Sequence, residues 1–574
     1  MGTIGLVFGP ADQARGATMS NSALDGRGLL HGTLVGFMLC MAQPALADSQ
    51  QDLQQQIKVL QEQLQSIQKQ LNAQQAATKQ VQAEVQATPI KQLPTGVQVV
   101  EVDPNGRIKI GPVTVQLGGY IEGAGVFRSR NENSDIGSTY GGIPFNQVPS
   151  SHETEFRQSA RQTRLSLLAQ SAWDENTNLS AYVESDFKGI GVTSNSGESN
   201  AYIPSLRQAY LTVDQANGWH LLAGQAWSLV TGFKDGLVPR DENLPLTVVT
   251  HEVVGFNWRR DPQVRLTKTF SPEFSMGLSV ETPQASFGGD VPSNLPELVT
   301  TVPGFGSGGG TLNSGQCVNN LGTIGNCANY SVDVAPDVVL KAAFDPGWGH
   351  YEVFGLGRIF QTRTGLFQEG ESTTLTRKSS IDFGNNQTLG GGVGGNLILP
   401  IMPKLLDFQA SVLAGRGIGQ YGAAQFADFT VNQVGDPSPI PMVQTLTGLV
   451  AHANPALDFY AYGGYERAFQ DTFALGNTFV GYGSPLDDNT GCNIENSNKF
   501  SSALKCSGVN KDVWQLTGGL WDKVYMGKHG TVSLGLQYSY TQRELFDGFN
   551  SFGGARAPIA DDNMVFASVR YYPF

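Results

Sequence analysis

Hydrophobic positions follow two different periods in two regions of this chain. From about residue 113 onward they alternate with polar ones: Val532, Leu534, Leu536, Tyr538 and Tyr540 interleave with Thr531, Ser533, Gly535, Gln537, Ser539 and Thr541. Leu179, Ala181, Val183 and Phe187 interleave in the same way with Ser180, Tyr182, Glu184 and Asp186. A period of two sends successive side chains to opposite faces of a strand. Runs of about ten such residues, apolar on one face and polar on the other, suit a strand with lipid outside and water inside.

Sixteen runs of this kind are expected, near 113–127, 155–169, 177–188, 204–213, 219–226, 263–270, 274–282 and 335–345, then 349–360, 388–401, 404–414, 442–452, 456–466, 512–522, 530–541 and 563–574. The connections alternate short and long. The long ones are 128–154, 189–203, 227–262, 283–334, 361–387, 415–441, 467–511 and 542–562. A miscounted strand would break that alternation. The pattern therefore predicts an all-β transmembrane barrel of 16 antiparallel strands over 112–574, with short turns at one end and long loops at the other. Its last strand is expected to close against the first, since an open hydrophobic edge invites mispairing. The terminal Phe574 resembles the signal read by bacterial barrel-assembly machinery, although Pro573 and Arg570 depart from its cleanest form.

The second period lies earlier. Leu53, Ile57, Leu60, Leu64, Ile67 and Leu71 step by four and three, and the register runs on through Gln74, Thr78, Val81 and Val85 to Pro89. Such heptads predict a coiled coil over 48–88, roughly 50 Å long at ~1.5 Å per residue. Leu and Ile share both core positions, which leans away from a strict dimer, and a homotrimer is expected. Residues 89–111, with Pro89, Pro94 and Pro104, are read as a linker.

Composition narrows the class. The chain has 574 residues, 70 of them Gly and 15% charged. Residues 1–47 have the form of an export leader: Arg27, an apolar Leu29–Met41 and the small-x-small triplet Ala45-Leu46-Ala47, with Met19 as an alternative start. No later run is long and apolar enough for an ordinary spanning helix. A net charge of −13 leaves no basic stripe, so no nucleic-acid partner is expected. Beyond the leader's Cys40, Cys317 with Cys327 and Cys492 with Cys506 form two local pairs inside long loops, which reads as disulfides in an exported chain. The second would close about fifteen residues, worth roughly 3 kcal/mol by loop-closure entropy. The seven histidines are scattered, so neither metal nor cofactor is expected.

Catalytic motifs do not emerge. There is no G-x-S-x-G or Walker A pattern, and His251-Glu252-Val253-Val254-Gly255 lacks the second His of a zinc-protease helix. No enzyme is expected. No plug domain precedes the barrel, which argues against energy-coupled uptake.

Five segments carry a family resemblance: Phe156–Leu165, Tyr182–Gly189, Leu206–Tyr210, Ala223–Trp227 and Arg260–Arg265. In that order they resemble the DcaP-like trimeric porins, over roughly 51–574, with the phosphate-selective porin O/P family as the nearest confusion. The resemblance implies a homotrimer in the outer-membrane lipid of a Gram-negative-type bacterium. It also implies a coiled coil in the periplasm and passive diffusion of small, mainly anionic solutes such as dicarboxylates.

Selectivity in such a channel comes from the field at a constriction. The third long loop is the expected inward-folding segment, because it carries Lys234, Asp235, Arg240, Asp241 and Glu242. By alternation Arg164, Arg265 and Lys341 face the lumen. Arg157 and Arg161 share parity with Leu165 and Leu167 and would face lipid, at a cost of ~2–4 kcal/mol at mid-bilayer, unless a bulge intervenes. The resemblance keeps both as pore candidates. Glu184 and Asp186 face inward as well, with Glu122, Glu281, Asp407 and Asp458, and could simply pair with the arginines. Guanidinium groups would hold carboxylates or phosphates through paired N–H donors that lysine lacks. A phosphate-selective pore, a nearly unselective one, and a structural tether acting through the coiled coil are the alternative readings.

Overall fold

A computed structural model describes residues 100–102, 107–189, 203–290, 331, 333–365, 383–502, 504–553 and 557–573. The expected leader, the coiled coil from Leu53 to Leu71, the Cys317–Cys327 pair and Phe574 lie outside the described residues.

The alternating runs form sixteen antiparallel strands: β1 (Val113–Arg128), β2 (Glu155–Ser159 continued by Arg164–Ala172), β3 (Thr177–Asp186), β4 (Ser205–Gln215), β5 (Trp219–Trp227), β6 (Arg260–Ser271), β7 (Phe274–Glu281) and β8 (Asp337–Phe344), then β9 (His350–Gly365), β10 (Phe383–Met402), β11 (Leu406–Arg416), β12 (Pro441–Asn454), β13 (Leu457–Ala468), β14 (Asn510–Gly527), β15 (Gly530–Leu545) and β16 (Ile559–Tyr572). Each pairs with its neighbour, and β16 pairs with β1 from Met564↔Arg128 to Tyr571↔Ile121. The sheet closes on itself. Part of the expected linker is a short hairpin, Val100–Val102 against Ile108–Ile110, which extends the sheet along the start of β1.

Short turns occupy one end and the long connections the other. The latter are L1 (129–154), L2 (187–204), L3 (228–259), L4 (282–336), L5 (366–382), L6 (417–440), L7 (469–509) and L8 (546–558). Facing follows the sequence pattern: on β15, Leu534, Leu536 and Tyr538 are exposed, while Ser533, Gln537 and Ser539 are buried. The outward face repeats this on other strands, with Leu211, Val264, Leu340 and Leu516 all about half exposed. A large apolar exterior around a polar interior inverts a soluble domain and suits a lipid surround.

Two interruptions change which residues face in. Between Ser159↔Ala124 and Arg164↔Tyr120, β2 advances five positions while β1 advances four. That extra residue reverses the facing, so Arg157 points inward above the break and Arg164 inward below it. On β4, Gln208 pairs with Glu184 and Leu206 with Ser185, leaving Arg207 as the extra residue of a bulge. Arg207 is thereby turned inward beside Gln208 and is 1% exposed.

L7 carries the expected disulfide between Cys492 and Cys506. Its sulfurs pack with Ile143, Phe145, Leu545 and Ala560, joining L1, L7 and the outer ends of β15 and β16.

Candidate functional site

L3 folds into the lumen as expected. An irregular backbone at membrane depth must have its amides satisfied by protein or by water. Here the polar inner wall supplies the acceptors. The N–H groups of Leu229, Phe233, Val248 and Gly255 donate to Glu281 (2.9 Å), Glu352 (2.9 Å), Gln537 (2.8 Å) and Glu466 (2.7 Å), on four different strands. The apolar run Val248, Val249, Val253, Val254 and Phe256 packs against Met442, Leu446, Tyr460, Tyr462 and Trp521. Gly255 and Gly464 permit that approach, because a Cβ on either would overlap Thr445 O or Val254 O. L6 braces the loop from outside, through Trp258 N–H to Tyr421 O and Ala424 N–H to Glu466.

Toward the short turns, L3 roofs a cavity of about 1030 Å³ lined by Arg164, Tyr182, Glu184, Arg240, Lys523 and Arg570, among others. Arg570 is fully engaged there: it bonds Glu122 (3.0 Å) and Val248 O (2.6 Å) and lies over Trp521 and Tyr120.

The side of the lumen formed by β2, β3, β4 and the start of β6 differs. Arg207 bonds Glu184 and Asp186 at 2.7 Å each, and Tyr182 donates to the other oxygen of Glu184 at 3.0 Å. Arg164 stands 3.9 Å from Glu184 and over the Tyr120 ring. Arg260 rests against the rings of Trp227 and Trp258 with no carboxylate partner among the described residues. Buried nitrogens without acceptors among the described residues collect here: Arg164 Nε, Arg207 Nη2, Arg260 Nε and Nη1, and Trp258 Nε1. His251, stacked edge-on to Trp258, reports the local field. Its imidazole is held well below its ordinary pKa, first by burial and then by the positive charges of Lys188, Arg260, Arg207 and Arg164. The wall has donors and cations to spare.

The expected site residues separate into groups. Arg164, Glu184, Arg240 and Glu242 line the cavity. Asp186 pairs with Arg207 beside it. Asp241 sits on the same arm of L3, where its C=O accepts the Lys234 N–H, and burial raises the carboxyls of both Asp241 and Glu242. Arg157 faces inward at the upper wall and bonds Glu155 at 3.0 Å. Arg161 lies in the β2 break and reaches Asp135, Phe187 O and Gly189 O, tying together the roots of L1 and L2. Arg265 and Lys341 face inward but beneath L3. Arg265 bonds Gln263 and Trp227 O, and Lys341 bonds Glu352 (2.7 Å) and Thr231 O (2.9 Å).

Over 80% of this chain and 97% of its own, the outer membrane channel DcaP of Acinetobacter baumannii superposes with a TM-score of 0.51 at 15% identity. The fold is that of the DcaP channel. An anion-selective porin from Comamonas acidovorans (TM-score 0.40, 9% identity, 80% of this chain and 99% of that one) overlaps more loosely. So does OprB of Pseudomonas putida (TM-score 0.40, 10% identity, 79% and 94%). Those two overlaps are too loose to bear on function. No family model and no curated protein matches the chain.

Sequence reasoning did not single out Arg207, Arg260, Lys188 or Glu252 for the pore. Arg207 has the outward parity of Ala209 and Leu211, and only its bulge reverses it. Arg260 and Lys188 lie inside the segments that carried the family resemblance, the one signal that pointed toward them.

Proposed function

We propose that this protein is a DcaP-like outer-membrane porin, a passive channel for small solutes that favours anions of the dicarboxylate class. The observation that carries this reading is the donor-rich wall at Arg164, Arg207 and Arg260, opposite the turn of L3. Arg260, with two unmet nitrogens and no acid partner among the described residues, can offer paired hydrogen bonds to a carboxylate, with Arg164 near it on the cavity wall and Arg207 already held by Glu184 and Asp186. At about 0.1 M salt the screening length is about 10 Å, so that field reaches across a narrow lumen. The short turns then face the periplasm and the long loops the exterior, as in other barrels of this type. The heptads from Leu53 to Leu71 support a homotrimer with a periplasmic coiled coil, after cleavage of a leader ending near Ala47.

Liposome swelling tests the reading. Vesicles holding the purified protein should swell faster in succinate than in a neutral sugar of equal size, and Arg260→Gln should narrow the difference. Equal rates for both solutes would leave an unselective pore; no swelling at all from a folded preparation would leave the tether.

A further inference from the structure

The segment that brushed against a protease motif, His251-Glu252, forms the turn of L3 nearest the arginine wall. Glu252 Oε1 meets Lys188 Nζ at 2.6 Å, and its Oε2 accepts the Ser138 N–H of L1 at 2.8 Å. Its backbone C=O takes the Tyr140 hydroxyl at 2.6 Å. Gly137 leaves no room for a side chain beside the carboxylate. Lys188 stands two residues past the end of β3, on the long-loop side of Glu184 and Asp186. Three connections therefore meet at one ion pair, above the arginines and on the side from which solute would arrive.

We propose that Lys188 and Glu252 form the outer specificity element of the passage. Glu252 occupies the place an arriving carboxylate would take on Lys188, and a solute carboxylate displaces it before moving on to Arg260 and Arg164. This rests on the anion-channel reading above.

Three observations support it. First, the two partners are unequally held. Glu252 keeps Ser138 if Lys188 leaves, whereas the ammonium group of Lys188 has Glu252 as its one ion-pair partner among the described residues and sits on a flexible four-carbon stem. Second, the side chains are 21% and 17% exposed, so dissolved ions can reach the pair. An ion pair that water reaches is weakened by solvent and salt, and a competing carboxylate can exchange with it. The fully buried Lys341–Glu352 pair could not be opened in this way. Third, Lys188 is among the cations that depress His251, and so belongs to the same positive field as the arginines.

The full-length protein, with wild type and variants shown to fold and assemble alike, is compared in planar bilayers under gradients of potassium chloride and potassium succinate. Glu252→Gln keeps an acceptor for Ser138 and removes the competing charge. It should raise the anion-to-cation permeability ratio roughly threefold to tenfold, and lower the succinate concentration that half-blocks the chloride current. Lys188→Gln should move both quantities the other way. If wild type prefers anions and neither variant changes either quantity, the pair is only a staple between loops and the proposal falls. A wild type that prefers potassium overturns the anion-channel reading, and this inference with it.

Discussion

The two sides of the barrel lumen use the same kinds of charged residue for opposite ends. Along β7 to β9, beneath the root of L3, Lys341 and Arg358 are each matched by acids. Lys341 is enclosed by Glu352, Thr231 O and the rings of Phe233 and Phe354, and Arg358 bonds Asp337 (3.0 Å) and Asp428 (2.9 Å). On β2, β4 and the start of β6, Arg164, Arg207 and Arg260 retain buried nitrogens with no acceptor among the described residues. A buried charge with good partners locks geometry, and one with spare donors is available to a ligand. Residue type did not separate these roles; pairing did.

The largest effect is expected on the matched side. Lys341→Met leaves Glu352 without its lysine in a sealed site, which costs about 3–5 kcal/mol. The unfolding midpoint should fall sharply and L3 should become open to protease. Replacing both partners, Lys341→Met with Glu352→Gln, removes both charges and keeps an acceptor for the Phe233 N–H, so it should recover much of the loss and separate pairing from mere packing. Next in size is the loop staple. Cys492→Ser with Cys506→Ser should cost about 3 kcal/mol by loop-closure entropy and make L7 easier to nick, with single-channel conductance unchanged.

A smaller effect follows pH. Burial pushes the Glu132 carboxyl in L1 up from 4.5 to about 7, with Arg128 opposing and Asp562 and Glu155 adding to the rise. An acid raised on folding binds its proton more tightly in the folded state, so its stabilisation is complete below about 4.5 and is lost as pH climbs through about 7. Hydrogen exchange of L1 should therefore quicken between those values, and Glu132→Gln should flatten the profile. The smallest change in stability belongs to the unmatched side. Arg260→Gln removes a cation with no acid partner among the described residues, so the unfolding midpoint should barely move. The anion-to-cation permeability ratio should nevertheless fall by roughly threefold.

Most of the barrel was legible because a period of two leaves a direct trace in sequence, and the rhythm of short and long connections checks the strand count. Closure of β16 on β1 followed from the same pattern. Facing was less legible at the site itself. One extra residue near Ala160 and another at Arg207 reverse the alternation, and the runs on either side read normally, so no periodicity reveals the switch. These bulges re-aim two arginines that would otherwise meet lipid. The charged arm of L3 announced an inward loop. What its sequence could not show was that Val248–Val254 would pack against the far wall, leaving the turn at His251-Glu252 toward the arginines. Arg265 and Lys341 were placed on the correct face, but alternation is blind to a loop laid over them.

On this reading the unmatched side of the lumen selects anions. Its most direct test is the reversal potential of the wild-type protein in a planar bilayer under a potassium chloride gradient at low salt, where surface fields are least screened. The account predicts a potential displaced toward chloride, with conductance rising in steps of three as trimers insert. A potential displaced toward potassium would contradict it, and would assign control to the inward-facing acids instead.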